Sequence, residues 1–448
     1  MGHTCCSGKA QVHPCNQRDR LDLLPPLCYS VRKSHLQDTA LRAITLKQIQ
    51  DLACFVQLRL EKHDVVDDNH KSPTYKRNVK WDLVTMYHVS DNFVLPLTKP
   101  FRCSFVELVT VEAQPPTWFV SHWWGERFMD TVALLSWHSE CHNMQLATAY
   151  WICTFANNQY SITAELGIDV MSSSFVRAIQ HQTCRGTVLL LDPKVTPMKR
   201  VWCVLENYVT TVRCKDKRYD LCAVIPGGTQ FNDGNAIQSG PALMMDRGDG
   251  TTMELCEPKH GVFPFEVAET GAQIDVALAE ATRQEDRDHI LHLLAGSKDT
   301  SAAPPALCDG YDRVNFAVRA RYRGRAMYIC AWRNDSSRLK LLLEVTGASG
   351  EVGQLNEQSC SGATAVYVAA ERNSTDCLRL LLEAQADINI ATHSGARPLE
   401  IAQELNNEEC IDILTDASVD VDGTDRAHCI LERQTSVRLS SSQRPLRE

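Results

Sequence analysis

The sequence predicts a mixed fold class, an α/β domain with a small doubly wound parallel sheet followed by an α-solenoid. Two observations lead to this prediction. Short apolar strands alternate with helical segments between residues 115 and 230, which is typical of a parallel sheet covered on both faces. Further along, between 320 and 418, a helix-pair pattern recurs at a fixed spacing, as in stacked repeats.

The pattern divides the 448 residues into successive segments. They are an N-terminal helical and irregular extension (1–114), the α/β domain (115–230), an insertion with a helical linker (231–305), about three repeats (320–418) and a disordered tail (419–448). Within the extension, apolar residues at helical spacing predict a helix over Thr45–His63, whereas Val84–Val109 is interpreted as short strands and turns.

The α/β domain is predicted from four strands and the helices between them. The strands are Thr117–Ser121, Tyr150–Phe155, Gly186–Asp192 and Asp220–Pro226, and the helices are Asp130–Met144, Ser173–Gln182 and Thr196–Val212. The third strand is apolar nearly throughout, which favours burial on both faces. Thr196 and Pro197 suit a helix start, because Thr caps well and Pro fits the first turn. The Gly- and Asp-rich segment 227–262 is expected to be a long loop or insertion.

Composition and charge limit the classes of function. Hydrophobic residues make up 44% and charged residues 23%, so most of the chain is expected to bury a core. The net charge of −9 argues against binding nucleic acid through overall charge. The 19 cysteines include no C-x-x-C pair, and residues 1–9 lack an apolar signal, so reduced thiols and a cytoplasmic location are expected. No apolar run is long enough to predict a membrane span.

The first residues offer one route to a membrane. Gly2 followed by Cys5 and Cys6 resembles the start of a protein that carries a myristoyl and a palmitoyl chain, although Cys6 occupies the usual hydroxyl position. Two acyl chains would give stable peripheral attachment. The alternative is an unmodified terminus.

The repeats have a period of 33 residues. Gly362-Ala363-Thr364-Ala365 corresponds to Gly395-Ala396-Arg397-Pro398, and the spacing is 395 − 362 = 33. Each is followed by an Ala-rich helix and a leucine-rich helix, and an earlier copy begins near Gly324. Period, helices and the turn Ala386-Asp387-Ile388-Asn389 resemble ankyrin repeats. The resemblance implies a protein partner on the concave surface; the alternative is a stack that only supports its own chain.

Two motifs of the α/β domain point to a site. Ser121–Glu126 follows the first strand and Asn158 follows the second, and ligands of open α/β sheets bind beyond the carboxyl ends of strands. The second motif, Arg200–Glu206, lies on the helix after the third strand. Trp202 and Glu206 are four residues apart and therefore share a helix face beside buried surface. A partly desolvated carboxylate there is a candidate functional group.

These motifs resemble two families. Ser121–Glu126 and the Trp202-Cys203 to Glu206 spacing are similar to TIR domains, and Arg200, Trp202 and Glu206 also match the fungal heterokaryon-incompatibility domain. The resemblance implies a flavodoxin-like sheet and, in enzymatically active TIR domains, cleavage of NAD. Glu206 would be catalytic, acting on the ribose. The implied nucleotide-binding residues are Ser121, His122, Trp124, Gly125, Asn158, Arg200 and Trp202.

The sequence leaves two functions open. The first is an intracellular adaptor whose repeats bind a protein and whose TIR-like domain self-associates or signals. The second is an NAD glycohydrolase using Glu206, with NAD as substrate and no required cofactor. Glu206 can also be a structural carboxylate that pairs with Arg200, Lys199 or the indole N–H of Trp123 or Trp124. No metal site is predicted: His138, Cys141 and His142 share a helix, but the sequence shows no second ligand cluster.

Overall fold

The structure is a computed structural model that describes residues 36–62, 65–67, 74–167, 169–225, 240–246, 253–256, 263–297, 300–346, 355–359 and 361–419. The chain divides into two compact units, residues 1–326 and 327–448. Almost all of the predicted tail, as well as Gly2, Cys5 and Cys6, lies outside the described residues.

A mixed sheet forms the centre of the first unit. Its strands are β1 Ile44–Thr45, β2 Trp118–Ser121, β3 Ala149–Trp151, β4 Gly186–Leu191, β5 Arg218–Ile225, β6 Gly240–Asp246 and β7 Met253–Cys256. Their order across the sheet is β1-β3-β2-β4-β5-β6-β7. The four predicted strands, β2 to β5, are parallel to their neighbours among themselves. The sheet is nevertheless not wholly parallel, because β1, β6 and β7 pair antiparallel at its edges.

Helices cover both faces of this sheet. They are α1 Leu46–Lys62, α2 Met86–Val89, α3 Leu95–Thr98, α4 Phe105–Val109, α5 Phe128–Cys141, α6 Cys153–Ala156, α7 Ile162–Leu166, α8 Ser174–Gln180, α9 Val201–Tyr208, α10 Phe265–Ala272, α11 Gln284–Ala295 and α12 Asp309–Arg333, whose last residues belong to the second unit. π-helical turns at Ser90–Val94 and Val209–Arg213 join α2 to α3 and extend α9.

Side-chain alternation along β2 shows which helices pack on each face of the sheet. Trp118 and Val120 of β2 join the apolar core that also contains α1 and α5. Phe119, between them, stacks on Trp151 at 5.2 Å and meets Phe175 of α8 at 6.4 Å on the opposite face. Because successive residues of a strand point to opposite faces, Ser121 lies on the α8 and α9 face with Phe119.

The predicted N-terminal extension (1–114) is not a separate segment. Ile44 of β1 pairs with Tyr150 of β3, and α1 contributes to the same core as β2 and α5. Arg42, 5% exposed, donates to both carboxylate oxygens of Glu165, at 2.9 and 3.0 Å. The helix predicted over Thr45–His63 is confirmed as α1. The described part of the extension therefore belongs to the α/β domain.

Two further sequence interpretations were wrong. Val84–Val109 is helical rather than strands and turns. Ser104 caps α4 by accepting from Glu107 N, while the Glu107 side chain accepts from Ser104 N, a local arrangement that outweighs the β-branched composition. In addition, segment 227–262 is not only a loop, because β6 and β7 extend the sheet beyond β5.

The second unit consists of helix pairs. After the end of α12 come α13 Ser336–Thr346, α14 Ala365–Glu371, α15 Thr375–Glu383, α16 Pro398–Glu404 and α17 Glu408–Val419. The turn that precedes α14 recurs before α16 at the 33-residue spacing. Gly362 N donates to Ser359 O at 2.8 Å and Gly395 N to Thr392 O at 2.9 Å, and both glycines have φ near +85° (82° and 90°). At Gly362 a Cβ would lie 2.6 Å from His393 N, so this turn requires glycine.

A second feature recurs after the first helix of each pair. Asn334, Asn373 and Asn406 all adopt left-handed backbone conformations, with φ of 54°, 55° and 55°. The next amide in each case donates back into the preceding helix: Asp335 to Cys330 O, Ser374 to Ala369 O and Asn407 to Ala402 O, at 2.9, 2.8 and 2.9 Å. Three copies of one helix-turn-helix unit are therefore stacked, as the sequence period predicts.

Candidate functional site

The two motifs of the α/β domain meet in the interior. Ser121 ends β2 and is fully buried, and its Oγ donates a hydrogen bond to Glu206 Oε2 of α9 at 2.5 Å. The pairing of β2 with β4 places Ser121 beside Leu189 on the face that α9 covers. The structure therefore brings Ser121 of the first motif into contact with Glu206 of the second.

Glu206 is a buried acid rather than a member of an ion pair. Glu206 is 4% exposed, and its carboxyl is hydrogen-bonded to the Ser121 hydroxyl and the Cys203 thiol. Burial raises the pKa of Glu206 to about 8, although hydrogen bonds from Ser121 and Cys203 act in the opposite direction. The carboxyl therefore retains a proton at neutral pH. The alternative pairing with Lys199 or Arg200 is not formed among the described residues.

A thiol and an imidazole lie beside this pair. Trp124 Nε1 donates to Cys153 Sγ at 3.2 Å, and His122 Nε2 lies 3.7 Å from the same sulfur. Cys203 Sγ also donates to the His122 carbonyl at 3.6 Å. Burial raises the pKa of Cys153 to about 12 and lowers that of His122 to about 4, so both are neutral at pH 7. A neutral thiol is a poor nucleophile, and Cys153 therefore serves packing and hydrogen bonding.

Several buried polar atoms in the segments that follow β2 and α6 have no hydrogen-bond partner among the described residues. They are His122 Nδ1, Glu126 Oε2 and both amide atoms of Asn157. Burial above all, with the charges of Asp130 and Asp192, raises the pKa of Glu126 well above its usual range. Since buried polar groups are nearly always hydrogen-bonded, these atoms are suited to a water or a small polar ligand.

Gly125 has a steric role in the first motif. A Cβ at this position would lie 2.2 Å from a ring carbon of Trp123. The indole of Trp123 therefore occupies the space that any other residue at 125 would need. This contact explains the Trp-Trp-Gly sequence without a ligand.

Three predicted residues do not join the Ser121–Glu206 pair. Asn158 donates instead to Arg102 O at 2.7 Å, and its neighbour Asn157 is the buried amide. Arg200 donates to Thr282 Oγ1 at 3.0 Å. Trp202 packs on Phe175 with ring centres 5.2 Å apart and directs its Nε1 toward Asp286 at 3.4 Å. The sequence could not predict these partners, because residue spacing does not reveal which distant segment packs against each side chain.

A described cavity lies elsewhere in the first unit. It has a volume of about 590 Å³ and its wall is formed by the turn before α9, by α10 and by the segment after α10. Lining residues include Met198, Lys199, Glu269, Gln273, Asp275 and Glu280. Neither Ser121 nor Glu206 lines it. Glu206 is only 4% exposed, and its carboxyl is hydrogen-bonded to Ser121, where the loop Ser121–Glu126 begins.

The structure also assembles a histidine cluster. His138 and His142 approach Asp220 Oδ2 through Nε2 at 3.1 and 2.6 Å. The sequence grouped the two histidines with Cys141 and missed Asp220, which comes from β5. The sequence did contain a pattern that could have indicated Asp220. Residues two apart in a strand share a face, so Asp220 lies on the same buried face as Cys222.

Comparisons with known proteins concern the second unit. The family model for ankyrin repeats matches residues 326–425, with three copies. This result confirms the ankyrin part of the sequence prediction and supports a role in protein–protein interaction. No match to a curated protein was found. In the described part of the chain, no helix is both long and apolar enough to cross a bilayer.

Proposed function

We propose that the chain is a signalling adaptor in which the ankyrin unit binds a protein partner and the α/β domain associates with itself or a second signalling domain. The observation that supports the first half is the stack of three ankyrin copies. In ankyrin stacks, the first helices of the repeats contribute to the concave binding surface. Two of those helices here are α14 and α16.

These two helices expose an acidic, aromatic surface, which we call the inner-helix patch: Tyr367, Glu371, Glu400, Gln403 and Glu404. Partial burial, followed by the charges of Glu371 and Glu404, raises the pKa of Tyr367, so the three side chains are neighbours. Tyrosine at the centre of a charged rim is typical of protein interfaces. A basic partner surface matches the charge of this patch.

Affinity capture with three versions of the full chain tests this role. They are the wild type, Tyr367→Ala/Glu404→Lys in the patch, and Asp412→Lys on α17 as a matched surface control. A specific partner is retained by the wild type and the control and lost by the patch variant. If the patch variant retains every protein that the wild type captures, the inner-helix patch is not the binding surface. Sedimentation of the purified chain measures the proposed self-association.

A second candidate function, cleavage of NAD, is favoured by the Ser121–Glu206 pair. Ser121 holds the carboxyl of Glu206 at the switch between β2 and β4, where ligands of such sheets bind. The partnerless atoms of His122 and Asn157 provide further polar contacts for a nucleotide. Since Glu206 is 4% exposed, substrate entry requires movement of the loop Ser121–Glu126.

Nicotinamide release from NAD tests this candidate. The wild type, Glu206→Gln and the exposed control Glu112→Gln are compared at several protein concentrations. The enzyme function predicts turnover by the wild type and by Glu112→Gln, and at least a hundredfold loss in Glu206→Gln. Absence of turnover in the wild type at all concentrations refutes it. Equal turnover in all three proteins refutes the assignment of Glu206.

A further inference from the structure

His138, His142 and Asp220 lie far along the strands from the Ser121–Glu206 pair and on the other face of the sheet. His138 is on α5 and His142 caps its end, while Asp220 is the third residue of β5. Trp118, the first residue of β2, packs against both imidazoles, with ring centres at 4.6 and 5.0 Å. The cluster is therefore at the amino-terminal ends of the parallel strands.

Asp220 needs strong partners at this position. Its side chain is fully buried on the core face of the sheet, among residues such as Cys222 and Tyr150. A buried carboxylate without charge compensation is costly. Both imidazoles converge on the same oxygen, Oδ2, at 3.1 and 2.6 Å, so two nitrogen donors and one oxygen donor meet at one point.

The distances suit a shared metal ion. One ligand atom from each of the three residues lies within 4.8 Å of the others. With metal–ligand bonds of about 2.0–2.2 Å, the ligands of a tetrahedral zinc ion lie roughly 3.3–3.5 Å apart. To form a coordination site, the nitrogens of His138 and His142 move away from Asp220 Oδ2, by a few tenths of an ångström and about 0.8 Å respectively. The two nitrogens, which lie within 4.8 Å of each other, settle at the same separation of roughly 3.3–3.5 Å.

Neighbouring groups already orient the ligands. Tyr150 Oη lies 3.0 Å from His138 Nδ1, which fixes the ring and leaves Nε2 directed at Asp220. Metal-bound histidines usually have such a partner on the second ring nitrogen. The i, i+4 spacing of His138 and His142 also places both imidazoles on one helix face, as in helical zinc sites.

We propose that His138, His142 and Asp220 bind one Zn²⁺ ion that ties the end of α5 to β5. Two imidazoles and one carboxylate favour zinc over calcium or magnesium, which prefer oxygen ligands. The fourth position is available to water from the side of His142, whose side chain is 10% exposed. The site is structural, because it lies away from the carboxyl-terminal strand ends where ligands of such sheets react.

Co²⁺ is the probe of choice, because its spectrum distinguishes histidine and carboxylate ligands from cysteine thiolates, and the chain contains 19 cysteines. The full chain is treated with a chelator, exchanged into metal-free buffer and titrated with Co²⁺. The proposal predicts one equivalent with the intense visible bands of four-coordinate cobalt and no thiolate charge-transfer band. Zinc then displaces the cobalt. A wild-type spectrum without a four-coordinate site, or with thiolate bands alone, overturns the proposal.

Variants assign the site to these residues. His142→Gln removes a ligand, whereas His289→Gln alters an exposed helical histidine and is the matched control. His142→Gln should weaken Co²⁺ and Zn²⁺ binding at least tenfold, and His289→Gln should leave both unchanged. If circular dichroism shows that His142→Gln fails to fold, Tyr150→Phe replaces it, with an expected loss of about 10–100-fold in affinity. Wild-type affinity in whichever of these variants folds overturns the assignment.

Discussion

Ser121 Oγ and Glu206 Oε2 lie 2.5 Å apart and connect the end of β2 to α9 inside the α/β domain. The contact joins the two motifs of the α/β domain, Ser121–Glu126 and Arg200–Glu206. Burial of this carboxyl group lowers the stability of the fold whenever Glu206 is ionised, because the charge is removed from water. Its consequences for stability can be measured without knowledge of any ligand.

Glu206 should make the α/β domain less stable as the pH rises. Its pKa is raised from 4.5 to about 8, so its protonated form is favoured by folding. This contribution is fully present below pH 4.5 and is lost as the pH rises through about 8, by an amount on the order of a few kcal/mol. Urea unfolding of the wild type and Glu206→Gln from pH 5 to 9 should show a flatter profile in the variant.

The control for this profile is Glu112→Gln, which changes an exposed glutamate. It should reproduce the wild-type pH dependence. Parallel profiles for the wild type and Glu206→Gln would contradict the buried, protonated state of Glu206.

Gly125→Ala should destabilise the chain by about 1–3 kcal/mol, because the new Cβ would overlap Trp123. A double-mutant cycle isolates the cause. In a Trp123→Ala background the same substitution should cost much less, since the ring that it meets is gone. Equal costs in both backgrounds would assign the requirement for glycine to something other than the indole. Free energies of unfolding from denaturant titration provide the comparison.

Arg42→Leu should cost about 3–5 kcal/mol in unfolding free energy, because it removes the buried guanidinium that pairs with the carboxylates of Glu107 and Glu165. Lys47→Leu is the control: Lys47 pairs with Asp51 at the surface, and its loss should cost at most about 1 kcal/mol. Similar costs for the two variants would show that the segment before α1 contributes little to the domain.

Asn407→Ala should weaken the ankyrin unit by about 1–3 kcal/mol. The Asn407 amide donates to Ala370 O at 2.7 Å and Glu371 O at 3.2 Å, and so joins successive repeats. Asn389→Ala, at an exposed turn, should stay within about 0.5 kcal/mol of the wild type. Thermal unfolding measures both, and an unchanged transition in Asn407→Ala would exclude this contact as a link between repeats.

Local patterns predicted the repeats and the parallel strands because their signals lie within a few residues. The 33-residue period follows from turn glycines such as Gly362 and Gly395, whose role does not depend on the rest of the chain. Likewise β4 is recognisable from its apolar run alone. Both predictions are correct because the tertiary contacts favour the same local structure as the sequence does.

Long-range pairings could not be read in this way. The sequence does not reveal that Ile44 pairs with Tyr150 or that Asp220 meets His138, since each contact joins distant segments. The sequence also does not show which of two adjacent residues is buried. Asn157 is buried, whereas Asn158 donates a hydrogen bond to Arg102 O away from the Ser121–Glu206 pair. Contacts between segments that are distant in the sequence decide such outcomes.

The central claim, partner binding by the ankyrin unit, is tested most directly by calorimetry with the purified captured partner. The wild type and Asp412→Lys should bind it with the same affinity. Tyr367→Ala/Glu404→Lys should bind about 30-fold or more weakly, as expected when a central interface residue contributing about 2 kcal/mol is removed. Equal affinities for all three proteins would contradict the account.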